Sequence, residues 1–81
     1  MTVHVCFYSY FKELTGTERV VQELPEGATL ADLQSQLAVR FPKLNAMRKS
    51  TLIAVGVDYQ GSDYVLQAGD EVSLFPPVQG G

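Results

Sequence analysis

Apolar and mixed side chains alternate at the start of the chain, with the period of two that is typical of a β-strand. The apolar face consists of Val3, Val5 and Phe7, and the opposite face consists of His4, Cys6 and Tyr8. We therefore predict a first strand here. Its apolar face is expected in the core, and its mixed face is expected to meet water or a partner.

A long helix is predicted in the middle of the chain. It begins after Thr29, a favoured N-cap residue, with Asp32 at the second position of a capping box. Its apolar stripe has helical spacing and consists of Leu30, Leu33, Leu37 and Phe41. The helix is expected to end at Phe41, because Pro42 disfavours helical backbone angles in the residue before it.

The remaining pattern is one of short elements separated by turns. A brief helix is expected over residues 10–15, between Ser9 as N-cap and Gly16 as stop signal. Further strands are expected at residues 17–24 (an edge strand), 51–57, 64–66 and 71–75. Turns are expected at residues 24–27 (type I), 58–63 and 67–70, and a polar loop at 43–50. This order indicates an α+β roll with a mixed sheet of four to five strands, one main helix and a short helical turn.

Composition narrows the class of protein. The 81 residues correspond to one domain, and a net charge of −3 without a basic stripe argues against nucleic acid as a main partner. No apolar run approaches the ~20 residues that cross a bilayer, and the first residues lack the pattern of a secretory signal. The single cysteine can form no internal disulfide, which fits a reducing, cytoplasmic setting.

The end of the sequence has a distinct chemical character. The last predicted strand runs into Pro76 and Pro77, which lack N–H groups and therefore end its ladder. Gly80 and Gly81 have no side chains and adopt almost any backbone angles. We predict a folded domain over residues 1–76 and an extended tail over 77–81, made of Pro77, Val78, Gln79, Gly80 and Gly81. Such a tail can enter a narrow channel and present its terminal carboxylate there, although frayed terminal glycines are the plain alternative.

Alternation along the last strand predicts a surface at the root of this tail. If Val72 and Leu74 lie in the core, Phe75 points outward, and Cys6 and Tyr8 point outward from the first strand. Exposed aromatic side chains of this kind are typical of a partner surface. We therefore predict that Phe75, Tyr8 and Cys6 form a partner interface. The alternative is that they stand exposed singly or lie under loops.

These residues carry a resemblance to a known family. The chain resembles the small subunit of molybdopterin synthase, a sulfur-carrier family with a ubiquitin-like β-grasp fold. The specific signals are Phe75-Pro76-Pro77-Val78-x-Gly80-Gly81 and Gly69-Asp70-Glu71-Val72, and the weaker ones are Val3-x-Val5-x-Phe7 and Lys12-Glu13-Leu14-x-Gly16. The resemblance implies that the first and last strands lie side by side in parallel. Where the family often has Asn in the third strand, this chain has Gly56, so any role of that side chain in pinning the next turn is in doubt.

The resemblance also implies a function. Gly81 would be adenylated with ATP by an E1-like activating enzyme and then thiocarboxylated by a sulfur donor, a sulfurtransferase. The tail would enter the large subunit of molybdopterin synthase and give its sulfur to a pterin precursor. Alone, the chain would catalyse nothing and hold no cofactor or metal stably. Two alternatives stay open: a carrier for thiamine, cysteine or tRNA thiolation, and a ubiquitin-like protein modifier or binding module.

Other candidate sites in the sequence are weaker. His4 and Cys6 share a strand face, but zinc needs three or four ligands and a thiol nucleophile needs a base, so we interpret both as surface or interface residues. The scattered carboxylates are interpreted as solvated residues of turns and a strand start, and they are Asp58, Asp63, Asp70 and Glu71. Four cations after the long helix are interpreted as complements to its C-terminus, and they are Arg40, Lys43, Arg48 and Lys49.

Overall fold

In the computed structural model, which describes residues 1–77, a mixed sheet of five strands packs against one long helix. The strands are β1 (Thr2–Phe7), β2 (Arg19–Glu23), β3 (Leu52–Val55), β4 (Asp58–Tyr59) and β5 (Glu71–Phe75). The helices are α1 (Tyr10–Thr15) and α2 (Leu30–Arg40), and 3₁₀ turns follow over Pro42–Ser50.

The strand order in the sheet is β2-β1-β5-β3-β4. The first and last strands run parallel at its centre, with Val5 opposite Val72, and the other neighbouring pairs are antiparallel. This arrangement confirms the ubiquitin-like β-grasp and the edge position of β2. Because β1 and β5 are parallel, their C-terminal ends lie together, which places Phe7 beside Leu74 at the end from which the tail departs.

The core lies between α2 and one face of the sheet. The predicted stripe of α2 is buried at Leu30, Leu33 and Leu37, each at most 1 % exposed. The side chains that meet it are fully or almost fully buried, and they are Val3, Val5, Phe7, Phe11, Val72 and Leu74. Since alternate residues of a strand face opposite sides, the other sheet face carries residues 4, 6, 73 and 75. That face is not covered by a helix among residues 1–77.

The predicted helix ends are confirmed, with one difference at α1. Thr29 and Asp32 form the reciprocal capping box of α2, and Gly16 ends α1 with φ 74°. Ser9 precedes α1 as expected, but its side chain caps nothing and its φ is 56°. The N–H of Tyr8 still bonds to the sheet, at 3.2 Å from the carbonyl oxygen of Leu74. The chain therefore reverses from strand to helix at Ser9, and the backbone there cannot take the extended form that a capping serine needs.

Several predicted turns are shifted or wrong. The turn before α2 spans residues 25–28, where Ala28 N–H bonds to the Pro25 carbonyl at 3.2 Å, and Gly27 has φ 84°. It is therefore not a type I turn over 24–27, because type I has no positive φ. The predicted loop over 43–50 forms 3₁₀ turns instead, anchored by buried Leu44. The predicted strand at 64–66 is reduced to one bridge between Val65 and Thr29.

The turn expected over residues 58–63 forms only towards its end, where the Tyr64 N–H bonds to the Gly61 carbonyl at 3.1 Å, because residues 58 and 59 are in a strand. A separate tight turn at Gly56 and Val57 joins β3 to this short strand, β4. Gly56 has φ 61°, and its N–H bonds to the Glu71 carbonyl at 2.9 Å. The backbone alone thus fixes this turn, so the side chain of the asparagine common in the family is not needed to form it.

Replacement of Gly56 is expected to test this backbone requirement. A Cβ at Gly56 would meet no atom within 4 Å, so any cost arises from the positive φ alone. We expect Gly56→Ala to lower the free energy of unfolding by about 1 kcal/mol, and Gly56→Asn to cost less because asparagine tolerates positive φ. Urea unfolding of the two variants measures both values. A Gly56→Ala protein as stable as wild type would contradict this account of the turn.

The Tyr64 hydroxyl gives the fold a pH-dependent contact. It donates to Asp70 Oδ2 at 3.2 Å. Burial raises the pKa of Tyr64 above its ordinary 10.0, and the hydrogen bond to Asp70 and the charge of that carboxylate raise it further. Because the folded chain holds this proton more tightly, the stabilisation is complete below about pH 10 and is lost as the pH rises through the folded pKa.

Alkaline unfolding is expected to show this loss. We predict that wild type loses more stability than Tyr64→Phe when the pH rises above about 10. Urea midpoints of the two proteins, measured across that range, give the difference. Equal losses in both proteins would contradict the contribution assigned to Tyr64.

Candidate functional site

The predicted aromatic surface forms at the end of the sheet from which the tail departs. Val72 and Leu74 are buried, as the alternation required, and Phe75 lies on the opposite face and is half-buried. The ring of Tyr8 stacks on the ring of Phe75, with centroids 4.7 Å apart and planes 13° apart. Tyr8 remains 43 % exposed, so the pair offers an apolar surface to an approaching molecule.

A third ring completes this surface and escaped the sequence analysis. Tyr59 contacts Phe75 edge-on at 6.5 Å between centroids, and it is 69 % exposed. It reaches this position because β4 is a strand, so that Tyr59 lies opposite Ala54 on the same face as Phe75. The sequence predicts a turn over residues 58–63, and a strand of only two residues, Asp58 and Tyr59, has no period that would have indicated otherwise. We call Tyr8, Phe75 and Tyr59 the aromatic patch.

Cys6 lies on the same sheet face as the aromatic patch. It is half-buried and stands opposite Ser73 of β5. His4 lies two residues before Cys6 on β1 and so further from the tail. It is exposed and stands opposite Glu71. Within residues 1–77, no three or more His, Cys, Asp or Glu side chains gather as a metal site. The arrangement is consistent with the interpretation of His4 and Cys6 as surface or interface residues.

An exposed charged pair lies on the same sheet face as the rings. Arg19 of β2 stands opposite Cys6, its side chain approaches Glu71 of β5 to 3.7 Å, and both side chains are more than 60 % exposed. Exposed pairs of this kind add little to stability. The sheet face therefore carries solvated charges as well as apolar rings, and the rings are grouped beside the tail root.

Two of the remaining charged residues, Asp70 and Arg48, form hydrogen bonds that stabilise the fold. Asp70 Oδ2 accepts from the Gln67 N–H at 2.8 Å, which stabilises the turn before β5. Arg48 donates to the Ala31 carbonyl at 3.1 Å and to Ser35 Oγ at 2.8 Å, near the start and middle of α2, so its interpretation as a complement to the C-terminus of that helix was wrong. Neither arrangement brings two carboxylates together across a cleft, which acid–base catalysis by a carboxylate pair would require.

The chain leaves the sheet after Phe75, at the start of the predicted tail. The β5 ladder ends at Phe75, and Pro76 and Pro77 follow as half-buried residues outside any strand. The predicted site residues Val78, Gln79, Gly80 and Gly81 lie outside the residues that the structure describes. None of the helices within residues 1–77 has the length and apolar character that a membrane crossing demands.

Comparisons with known proteins place this geometry in a family. The ThiS family model matches residues 5–81. The molybdopterin synthase sulfur carrier subunit of Chlamydomonas reinhardtii is 30 % identical, and the alignment covers 100 % of both chains. A solved structure titled as a putative molybdopterin converting factor subunit 1 from Pyrococcus furiosus is 32 % identical with a TM-score of 0.88, and covers 96 % of this chain and 99 % of that one.

A further solved structure shows such a protein with another subunit. It is the complex of subunits 1 and 2 of the molybdopterin-converting factor from Helicobacter pylori, with 27 % identity, a TM-score of 0.73 and coverage of 100 % of both chains. The fold, the aromatic patch beside the tail root and the match over residues 5–81 agree with one another. The chain therefore belongs to the ThiS family, and its curated relatives include molybdopterin synthase sulfur carrier subunits.

Proposed function

We propose that this chain is the sulfur-carrying small subunit of a molybdopterin synthase, and that the Gly81 carboxylate carries the sulfur. The observation that supports this most directly is the common location of two features. The stacked rings of Tyr8 and Phe75 lie at the same end of β5 from which Pro76 and Pro77 lead to the glycines. A partner that binds the rings would receive the tail at a fixed place.

The proposed chemistry begins with a poor electrophile. A carboxylate resists nucleophiles because it is negatively charged. An E1-like enzyme would join the Gly81 carboxylate to the AMP part of ATP and release pyrophosphate. Attack by the terminal sulfur of a sulfurtransferase persulfide would then release AMP and form an acyl disulfide. A second thiol would cleave its S–S bond, forming a disulfide with the sulfurtransferase cysteine and leaving the thiocarboxylate on Gly81. ATP is thus consumed at the activating enzyme, and this chain needs no resident cofactor.

The second half of the cycle would occur in the large subunit. The thiocarboxylate sulfur would attack a carbon of the pterin precursor and displace an oxygen leaving group from it. Water would then hydrolyse the resulting thioester, which leaves the sulfur on the pterin and returns the Gly81 carboxylate. A narrow channel accepts the last two residues because neither has a side chain. The chain itself would contribute no acid, base or metal, and its role would be to place one reactive atom.

The aromatic patch is proposed as the docking surface. Phe75 is half-buried between Tyr8 and Tyr59, so its ring is held in place before any partner arrives. Preordered aromatic side chains are frequent anchors of interfaces, since little conformational freedom is lost on binding. Cys6, half-buried on the same face, would lie at the margin of this contact.

A binding and transfer experiment tests the proposal. The thiocarboxylated chain is mixed with a purified large subunit of molybdopterin synthase and the pterin precursor, and the pterin product and the loss of carrier sulfur are measured together. We expect a stoichiometric complex and coupled formation of product. Sulfur delivery to thiamine, cysteine or tRNA enzymes without binding to the large subunit would refute the assigned client. Isopeptide conjugates to lysines, formed without any thiocarboxylate, would refute the sulfur role.

A further inference from the structure

The free edge of β2 carries an arrangement that the proposed sulfur chemistry does not use. Among residues 1–77, β2 pairs with β1 on one side and with no strand on the other. The unpaired backbone groups of such an edge can accept a strand from another molecule. The hydrogen bonds between β1 and β2 determine which of these groups face outward.

The outward groups belong to three alternate residues. The N–H of Leu24 bonds to the Met1 carbonyl at 2.8 Å, and the N–H of Phe7 bonds to the Glu18 carbonyl at 2.8 Å. Positions 18 and 24 therefore direct their backbone groups towards β1, and positions 20 and 22 do the same because the pattern repeats every second residue. The backbone groups of the residues between them point to the free edge, and these residues are Arg19, Val21 and Glu23.

Each of these three outward carbonyls accepts a hydrogen bond from a side chain. Thr17 Oγ1 donates to the Arg19 carbonyl at 3.1 Å. Arg40 Nη1 donates to the Val21 carbonyl at 2.9 Å. Gln22 Nε2 donates to the Glu23 carbonyl at 3.1 Å. The donors come from the loop before β2, from the last residue of α2 and from β2 itself, so different parts of the chain converge on one row of acceptors.

Arg40 controls two of these bonds. Its Nη1 also donates to Gln22 Oε1 at 2.8 Å, which directs the Nε2 of that amide towards the Glu23 carbonyl. The guanidinium lies 5.3 Å from the centre of the Phe41 ring, and Gln22 is only 9 % exposed. Arg40 and Gln22 are therefore held in place by packing within the folded domain. We call Thr17, Gln22 and Arg40, which donate to the three outward carbonyls, the caps of the β2 edge.

The edge beneath these caps is complementary to itself. In an antiparallel pair of two β2 strands centred on Val21, Arg19 of each copy stands opposite Glu23 of the other. Val21 stands opposite its own copy, and its side chain is 52 % exposed. The backbone acceptors of this pairing would be the carbonyls of Arg19, Val21 and Glu23, which are the three that the side chains occupy.

We propose that Thr17, Gln22 and Arg40 close the β2 edge against strand addition by a second copy of this chain. The row of caps replaces the hydrogen bonds that a paired strand would otherwise make. A carrier that has to fit its tail into other proteins benefits from an edge that does not bind its own copies. The device is independent of the sulfur chemistry and of the aromatic patch.

Removal of the donors tests the proposal on the full chain. The triple variant Thr17→Val, Gln22→Leu, Arg40→Met keeps similar side-chain volumes and deletes every cap. We expect sedimentation equilibrium to show a dimerisation constant at least about tenfold higher than in wild type. Amide hydrogen exchange followed by NMR is expected to slow at the outward N–H groups of Arg19, Val21 and Glu23 as the protein concentration rises.

A matched control uses the other arginine that donates to a backbone carbonyl. Arg48→Met removes bonds to Ala31 and Ser35 on α2 and none to β2, and is expected to associate as wild type does. Addition of Glu23→Arg to the triple variant places like charges opposite each other and is expected to reverse the dimerisation.

Two results would overturn the proposal. One is a triple variant that is folded by circular dichroism and self-associates no more than wild type. The other is increased association without slower exchange at the three edge amides, since the contact would then lie elsewhere. If the triple variant does not fold, Arg40→Met alone is judged by the same two measurements, because it removes the Val21 cap and frees the Gln22 amide.

Discussion

One alanine placed after Gly81 is expected to abolish sulfur transfer while the domain stays folded. The added residue moves the reacting carbon by about 3.5 Å along the tail, and a misplacement of about 1 Å can cost about 100-fold in rate. It also places a side chain where the channel is expected to accept none. We therefore predict a loss of at least about 100-fold in sulfur loading. Intact mass spectrometry after reaction with the activating enzyme, ATP and the sulfur donor measures loading.

A control for this extension lies in the turn between β3 and β4. Val57 is 96 % exposed and remote in sequence from the tail, so Val57→Ala is expected to load and transfer sulfur as wild type does. Thermal unfolding is expected to be unchanged in both variants, because no core residue is altered. Full activity of the extended chain would show that the group carrying the sulfur is not the carboxylate of Gly81.

Truncation of Phe75 is expected to have the second-largest effect, on binding to the large subunit. The Phe75→Ala variant loses the ring that contacts both Tyr8 and Tyr59, and with it the centre of the aromatic patch. Central aromatic anchors of interfaces contribute about 2 kcal/mol or more, which corresponds to a loss of about 30-fold in affinity. Isothermal titration calorimetry with the purified large subunit measures this loss.

Stability and binding can be separated in this variant. Loss of the stacked ring is expected to cost about 0.5–1.5 kcal/mol beyond the apolar area that it uncovers. Phe75 is only half-buried and no residue of the core is changed, so the domain is expected to remain folded. Phe75→Leu keeps an apolar side chain and is expected to fall between wild type and Phe75→Ala. Val39→Ala, which removes a 79 % exposed side chain from α2, is the control and is expected to bind normally. Wild-type affinity of Phe75→Ala would exclude the aromatic patch as the docking surface.

The elements with strong local signals could be predicted from the sequence. Val3, Val5 and Phe7 alternate with the period of a strand, and the leucines of α2 repeat with the period of a helix. Each pattern therefore defines one buried face. The capping box at Thr29 and the proline after Phe41 fixed the ends of α2 for local reasons. Alternation along β5 was enough to place Phe75 outside, and parallel pairing with β1 then brought Tyr8 against it.

The features that were missed depend on contacts distant in sequence. Tyr59 joins the aromatic patch because β3 gives β4 a strand to pair with, and two residues alone carry no measurable period. The bridge at Val65 depends on Thr29, which is far away in the chain. The hydrogen bond from Arg40 to the Val21 carbonyl joins residues 19 positions apart, and it depends on the packing of α2 against the sheet rather than on any motif.

The aromatic patch adjoins the root of the tail, and this location bears on the order in which the proposed partners would bind. If the activating enzyme and the large subunit both need the tail, both must approach the same end. Binding to the two would then be mutually exclusive, and the loaded carrier must leave one before it meets the other.

Intact and fragment mass spectrometry of the loaded chain tests the central claim most directly. The purified protein is incubated with its activating enzyme, ATP and a sulfur donor, and the site of the added sulfur is located. The account predicts a mass gain equal to the exchange of one oxygen for one sulfur atom, confined to the fragment that ends in Gly81 and lost again on reaction with the large subunit and the pterin precursor. An unchanged mass with active partners, or sulfur found on Cys6 instead, would contradict it.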